Sequence, residues 1–131
     1  MLIRTLILLA LLAAPAPAQP PMSAEAFDAY TRGKTLFYGF DGQPYGVEQY
    51  LDGRRVIWSF LDSDCRHGVW YEEAGQICFL YEHRSDPQCW SYFISDGRLT
   101  ARFENRTDAT EIYESEEIGE KMQCFTPEAG S

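Results

Sequence analysis

Three of the four cysteines and both histidines fall within residues 64–90, DCRHGVWYEEAGQICFLYEHRSDPQCW. Side chains of these types can ligate zinc, exchange disulfides, or act as nucleophile and base. Their spacing narrows the choice. Cys65, Cys78, Cys89 and Cys124 lie 13, 11 and 35 positions apart, so no pair has the C-x-x-C step of a thioredoxin-like centre or a zinc knuckle. A zinc set of Cys65, His67, Cys78 and His83 would have to converge from three segments and keep two thiols reduced. Catalysis finds as little support. No G-x-S-x-G step accompanies the histidines, and with four cysteines none need be spare as a nucleophile. Asp62, Asp64, Glu72, Glu73, Glu82 and Asp86 could supply a carboxylate pair for glycoside chemistry. Acidic loop residues in an acidic chain are mostly solvated, however, and nothing marks two of these as buried. DSDC at 62–65 lacks the order of a calcium loop. No catalytic residue, metal ligand or cofactor is assigned, and the chain is not expected to be an enzyme. His67 and His83 read as polar loop-end residues, and Asn105-Arg106-Thr107 as a polar turn.

Four cysteines in a small chain raise the question of compartment. Residues 1–18 carry one positive charge at Arg4, an apolar run from Leu6 to Ala14, and small residues at Ala16 and Ala18. This is the pattern of a secretory signal peptide cleaved near Ala18. The run is shorter than the roughly 20 residues that span a bilayer. The expected product is periplasmic or secreted, with no stable membrane insertion. In that setting four cysteines pair as two disulfides.

About 113 residues would remain, which suits one domain with a modest core. All 20 acidic residues lie in this part, so removing Arg4 takes the net charge from −9 to about −10. Nucleic acid is excluded as a partner, because phosphate binding needs clustered Lys and Arg. A cationic protein partner is permitted.

Residues 19–22 read as a disordered lead-in and 23–131 as a single disulfide-linked β domain. SAEAFDAYTRG, residues 23–33, predicts one short helix with Ser23 as cap, Glu25 in the first turn and Gly33 closing it. Phe27 and Tyr30 would share one face. Beyond Gly33, eight short runs alternate with turn residues, among them Asp41-Gly42, Asp52-Gly53, Ala74-Gly75 and Asp96-Gly97. Asp-Gly between apolar runs is a hairpin signal, because type I′ turns need positive φ at both central residues. A content of 15% Phe, Trp and Tyr suits pleated, half-buried surfaces. The fold class is therefore mainly β: an antiparallel up-and-down meander of about eight strands, closed into a barrel or strongly curved sheet, with one short N-terminal helix. A two-sheet β-sandwich is the alternative.

Three disulfide connectivities are open. In a meander Cys78 and Cys89 flank one short connection and face each other if the chain turns near His83-Arg84, leaving Cys65 for Cys124. Cys65–Cys89 is the rival, because both would lie at one end of the strands.

The pattern Cys65-x-x-Gly68-x-Trp70, then Ile77-Cys78-Phe79 and Cys89-Trp90, follows the segment GKTLFYGFDGQPYG at 33–46. It resembles a group of small exported proteins of Gram-negative bacteria known only as domains of unknown function. The resemblance covers Gly33 to Arg102. It implies a secreted β domain, and relatives that keep only the two later cysteines imply a Cys78–Cys89 bridge. It supplies no catalytic or binding residues. Gly68-x-Trp70 is also similar to the G-x-W triplet of lipocalins, although it stands mid-chain here rather than after an N-terminal helix; the likeness is an analogy.

These readings leave a binding protein. A barrel mouth lined by Phe37, Trp58, Trp70, Phe79 and Trp90 could take a small apolar or amphipathic ligand. The simpler reading of the same aromatics is that they fill the interior. One alternative is an acidic inhibitor or adaptor of a cationic envelope protein such as a lysozyme. The other is a structural envelope protein without ligand.

Overall fold

Side chains alternate faces along a strand, so each of the eight runs offers one inward and one outward set. In the computed structural model those runs become eight strands. It describes residues 10–15, 18–62, 64–108, 110–115, 122 and 124. The signal-peptide reading of residues 1–18 lies largely outside them. One helix, α1 (Ala24–Thr31), precedes β1 (Thr35–Phe40), β2 (Gln43–Tyr50), β3 (Arg55–Ser59), β4 (Cys65–Glu73), β5 (Gln76–Tyr81), β6 (Gln88–Ser95), β7 (Arg98–Phe103) and β8 (Glu111–Glu114). The strands pair antiparallel in chain order and close into a barrel. Closure runs through Tyr38 opposite Glu114 and Gly39 opposite Tyr113. The barrel reading holds, and the two-sheet alternative does not.

The turns follow the sequence with one exception. Asp41-Gly42, Ala74-Gly75 and Asp96-Gly97 all have positive φ at both residues, as two-residue hairpins require. At Asp52-Gly53 the expectation is displaced by one residue: positive φ falls on Gly53 and Arg54. The Leu51 N–H donates to the Arg55 carbonyl at 2.9 Å, so three residues rather than two must make that turn.

The helix sits where its caps put it. Ser23 Oγ accepts the Ala26 N–H at 3.1 Å, and Gly33 leaves the helix with φ of 79°. Phe27 is fully buried, packing against Tyr50, Trp70, Phe79 and Tyr92 with ring centroids 4.5 to 6.3 Å away. It stoppers one end of the barrel, and truncating a buried Phe of this kind costs about 3–5 kcal/mol. Tyr30, one turn on along the same face, ties the helix to β8, donating to Glu114 Oε1 at 2.6 Å. Residues 19–22 run beside β6, where the Met22 N–H donates to the Tyr92 carbonyl at 2.7 Å.

Both disulfides start from buried cysteines, Cys65 at 6% and Cys78 at 1% exposure. Cys78 and Cys89 stand opposite each other on β5 and β6, with Cα atoms 4.0 Å apart, and are bonded. Cys65 opens β4 and is bonded to Cys124. This is the preferred pairing, and the Cys65–Cys89 rival is excluded. Two such bridges belong to an oxidising compartment. The short β5–β6 connection is braced by Asn105, which accepts the Cys89 N–H at 2.8 Å and donates to the Pro87 carbonyl at 2.9 Å. The residue read as part of a polar turn thus ties two loops together. No helix among the described residues is long and apolar enough to cross a membrane.

Candidate functional site

The barrel interior is not packed solid. Inward-facing residues of β1, β2, β3, β5, β6 and β8 surround a cavity of about 40 Å³ at the end opposite α1. Its mouth is aromatic. Tyr45, Trp58 and Phe60 pack edge to face and tilted, with centroids 5.2 to 5.7 Å apart, and Phe40 joins through Tyr45. Phe40 and Phe60 are exposed. A register shift explains Tyr45. Tyr38 pairs with Gly46 and Gly39 with Pro44, so Tyr45 is the extra residue of a β-bulge, a device that re-aims a side chain. Here it turns the ring into the mouth. Trp58 is seated by Gly46, where a Cβ would come within 2.3 Å of the indole.

At the bottom of the cavity lies Glu48, in the middle of β2 and only 2% exposed. The Tyr81 hydroxyl donates to its Oε1 at 2.9 Å, while Oε2 is buried without a partner. Leaving a buried polar atom unpaired costs about 1–3 kcal/mol, so such an atom calls for an explanation. Burial pushes the Glu48 carboxyl well above the usual range, and the Tyr81 hydrogen bond offsets only part of this. Burial therefore favours the neutral form of Glu48. Around it stand four buried phenols. The Tyr38 and Tyr50 hydroxyls share a hydrogen bond at 2.7 Å. Tyr38, Tyr50, Tyr81 and Tyr92 are all raised, in each case chiefly by burial.

Gly68 sets the position of Tyr81. The two are register partners, and the tyrosine ring lies over the glycine so closely that a Cβ there would meet Tyr81 Cδ1 at 2.8 Å. The Gly68-x-Trp70 triplet thus has a packing role on each side. Gly68 admits the ring whose hydroxyl holds Glu48, and Trp70 lies under α1.

Of the five aromatics expected at the mouth, three reach the cavity: Trp58, Phe79 and Trp90. Trp70 is buried beneath the helix, edge-on to Phe27 at 5.0 Å, with the Arg54 guanidinium 4.5 Å above its ring. It is core at the stoppered end. Phe37 is a correction. Alternation along β1 turns Tyr38 inward and Phe37 outward, to a groove on the outer surface shared with Pro44, Leu61 and Tyr113.

The remaining chemistry-bearing residues stay apart. His67 and His83 are exposed, as are Asp62, Asp64, Glu72, Glu73, Glu82 and Asp86, and among the described residues no cluster could hold a metal ion. Among the described residues Glu48 is the one carboxyl lining the cavity, and none of them forms an acid/base carboxylate pair with it there. Glu48 and the four tyrosines are the residues that sequence reasoning missed. In GVEQY the apolar Val47 invites the opposite alternation, with Glu48 outside. Pairing Glu48 with Trp58 and Tyr50 with Val56 across β2 and β3 is what reverses it. Comparison with protein-family models, with curated proteins and with solved structures finds no match, so the chemistry of this site rests on the residues that build it.

Proposed function

We propose that the chain is an exported, periplasmic barrel that binds a small ligand through its open, aromatic end and carries out no catalysis. One observation carries the reading: a buried carboxyl with an unpaired oxygen faces a cavity whose mouth is ringed by exposed aromatic side chains. An interior meant only to be filled would place an apolar side chain at position 48, because a lone buried carboxyl weakens the fold. Exposed aromatics around a concave site are the usual lining of small-molecule pockets. The residue pattern at 1–18 supports export, and the two disulfides suit the same compartment.

The test uses the full mature chain, purified from periplasm under native conditions. Native mass spectrometry should show a non-covalent mass that denaturation removes. Trp58 and Trp90 line the cavity, so ligand entry should change the intrinsic fluorescence. Empty protein, together with unchanged fluorescence across panels of amines, fatty acids, alcohols and haem, would overturn the proposal.

A further inference from the structure

We propose that the group taken into the cavity is the primary ammonium of a small alkylamine, with Glu48 as its counter-ion and the surrounding rings as its cage; this rests on the small-ligand reading above. The size of the space comes first. About 40 Å³ exceeds the roughly 10–15 Å³ that one water needs and is well below the roughly 150 Å³ of a cavity that takes benzene, so it suits a small head group rather than an aromatic ring. Its chemistry comes second. An ammonium brings three donors and no acceptor. The site offers the unpaired Glu48 Oε2 and, beside it, phenol oxygens that can accept. Aromatic faces attract a cation further, most strongly where water is excluded. Trp58, Tyr81 and Tyr45 supply such faces around one carboxyl.

The approach is also suited to an amine with an apolar body. From Glu48 the cavity runs outward to Phe60, which is 49% exposed, and to Tyr45, whose ring centroid is 5.7 Å from that of Phe60. A short alkyl chain can lie on these while the head group sits inside. A net charge of −9 draws cations toward the surface.

Binding should be coupled to a proton. In the empty site burial favours the neutral form of Glu48; opposite an ammonium it becomes a carboxylate, and the proton leaves for solvent. The groups facing it do not compete for this role. Tyr38 on β1, Tyr50 on β2, Tyr81 on β5 and Tyr92 on β6 stay protonated, since burial raises each. Inward residues Gly68 and Trp70 of β4, Ala101 of β7, Ile112 of β8 and Phe27 of α1 carry no titrating group. Glu114 on β8 is engaged by Tyr30, and Arg66 at the start of β4 pairs with Asp64 at 3.2 Å.

The experiment compares hexylammonium, hexanol, hexanoate and hexyltrimethylammonium by calorimetry and tryptophan fluorescence on the full mature chain. Hexylammonium is expected to bind at least tenfold tighter than each of the others. Its affinity should rise about tenfold per pH unit while free Glu48 remains protonated, with one proton released per ligand in buffers of differing ionisation enthalpy. Glu48→Gln should remove the preference for the ammonium and the proton release together. Should that variant fail to fold, the proton count on the unaltered chain decides. Hexanol or hexanoate binding as well as hexylammonium, or hexylammonium binding without proton release, overturns the ammonium assignment and leaves the small-ligand reading standing. No binding of any of the four, with no co-purified ligand, overturns both.

Discussion

Replacing Gly68 by alanine puts the packing of Tyr81 to a quantitative test. The added Cβ would lie 2.7 Å from the Leu80 carbonyl oxygen, 2.8 Å from Tyr81 Cδ1 and 3.2 Å from Tyr81 Cα. Two of these three atoms are backbone of β5. That backbone is fixed by an unbroken register from Gly68–Tyr81 to Glu73–Gln76, so it cannot move aside cheaply. Without the close approach, glycine to alanine inside a strand would stabilise by about 0.5–1 kcal/mol. Overpacking costs about 1–3 kcal/mol, and displacing Tyr81 from Glu48 forfeits a hydrogen bond worth about 1 kcal/mol. The balance is a destabilisation of about 1–3 kcal/mol, or a Tm lowered by about 5–15 °C in a domain of this size. Urea unfolding followed by tryptophan fluorescence reads it. Gly39→Ala is the control. The three nearest atoms to its Cβ would all belong to the Tyr113 side chain, at 2.5 to 2.9 Å, and that side chain is 36% exposed and can move outward at the cost of the hydrogen bond its hydroxyl accepts from the Gly42 N–H. The control should stay within about 1 kcal/mol of the parent. A Gly68→Ala protein as stable as the parent, or no more affected than Gly39→Ala, would refute the reasoning.

Other outcomes follow from the same geometry. Because burial raises the Glu48 carboxyl in the folded state, the fold holds a proton that the unfolded chain releases near the ordinary value of 4.5. Stability should therefore fall by about 1.4 kcal/mol per pH unit from there up to the folded pKa, and Glu48→Gln should lack that slope; parallel urea midpoints against pH would contradict this. Burial, then the hydrogen bond to Glu114, pushes Tyr30 up to about 12. Its contribution is complete below pH 10 and lost on rising from 10 to 12, so Tyr30→Phe should flatten alkaline unfolding in that window. The loops closed by the two bridges span 11 and 59 residues. Paired serine replacements of Cys78/Cys89 and Cys65/Cys124 should cost about 3 and about 4 kcal/mol in the chain-entropy account, as measured by urea unfolding. Ser23→Ala should cost about 1 kcal/mol through the lost cap, visible as a lower Tm with the fold unchanged.

The strands and helix were legible because local signals coincide: Ser23 and Gly33 bound the helix, and turn pairs with Gly at 42, 75 and 97 divide the runs. The Cys78–Cys89 bridge followed from the hairpin those runs imply. What failed was inside against outside. Phe37 and Tyr38 are both aromatic neighbours, and only closure against β8, opposite Glu114, shows which one enters the barrel. Glu48 hid for the same reason, beside Val47. The bulge at Tyr45 shifts the alternation of β2 by one, and no local residue pattern announces it. The candidate site was therefore half legible: its aromatic rim could be read, but its acid could not.

The seam between β1 and β8 rests on two register pairs, against six each for β4–β5 and β6–β7. Among the described residues β8 is also the shortest strand and the last, and its Glu114 is the residue that Tyr30 of the helix grips. A chain interrupted before Glu111 would retain the helix and seven strands, yet β1 and β7 would each present an unpaired row of amides and carbonyls. Such edges recruit one another between molecules. Four residues near the end of the sequence thus separate a ring that is complete in itself from a ribbon that grows by adding copies.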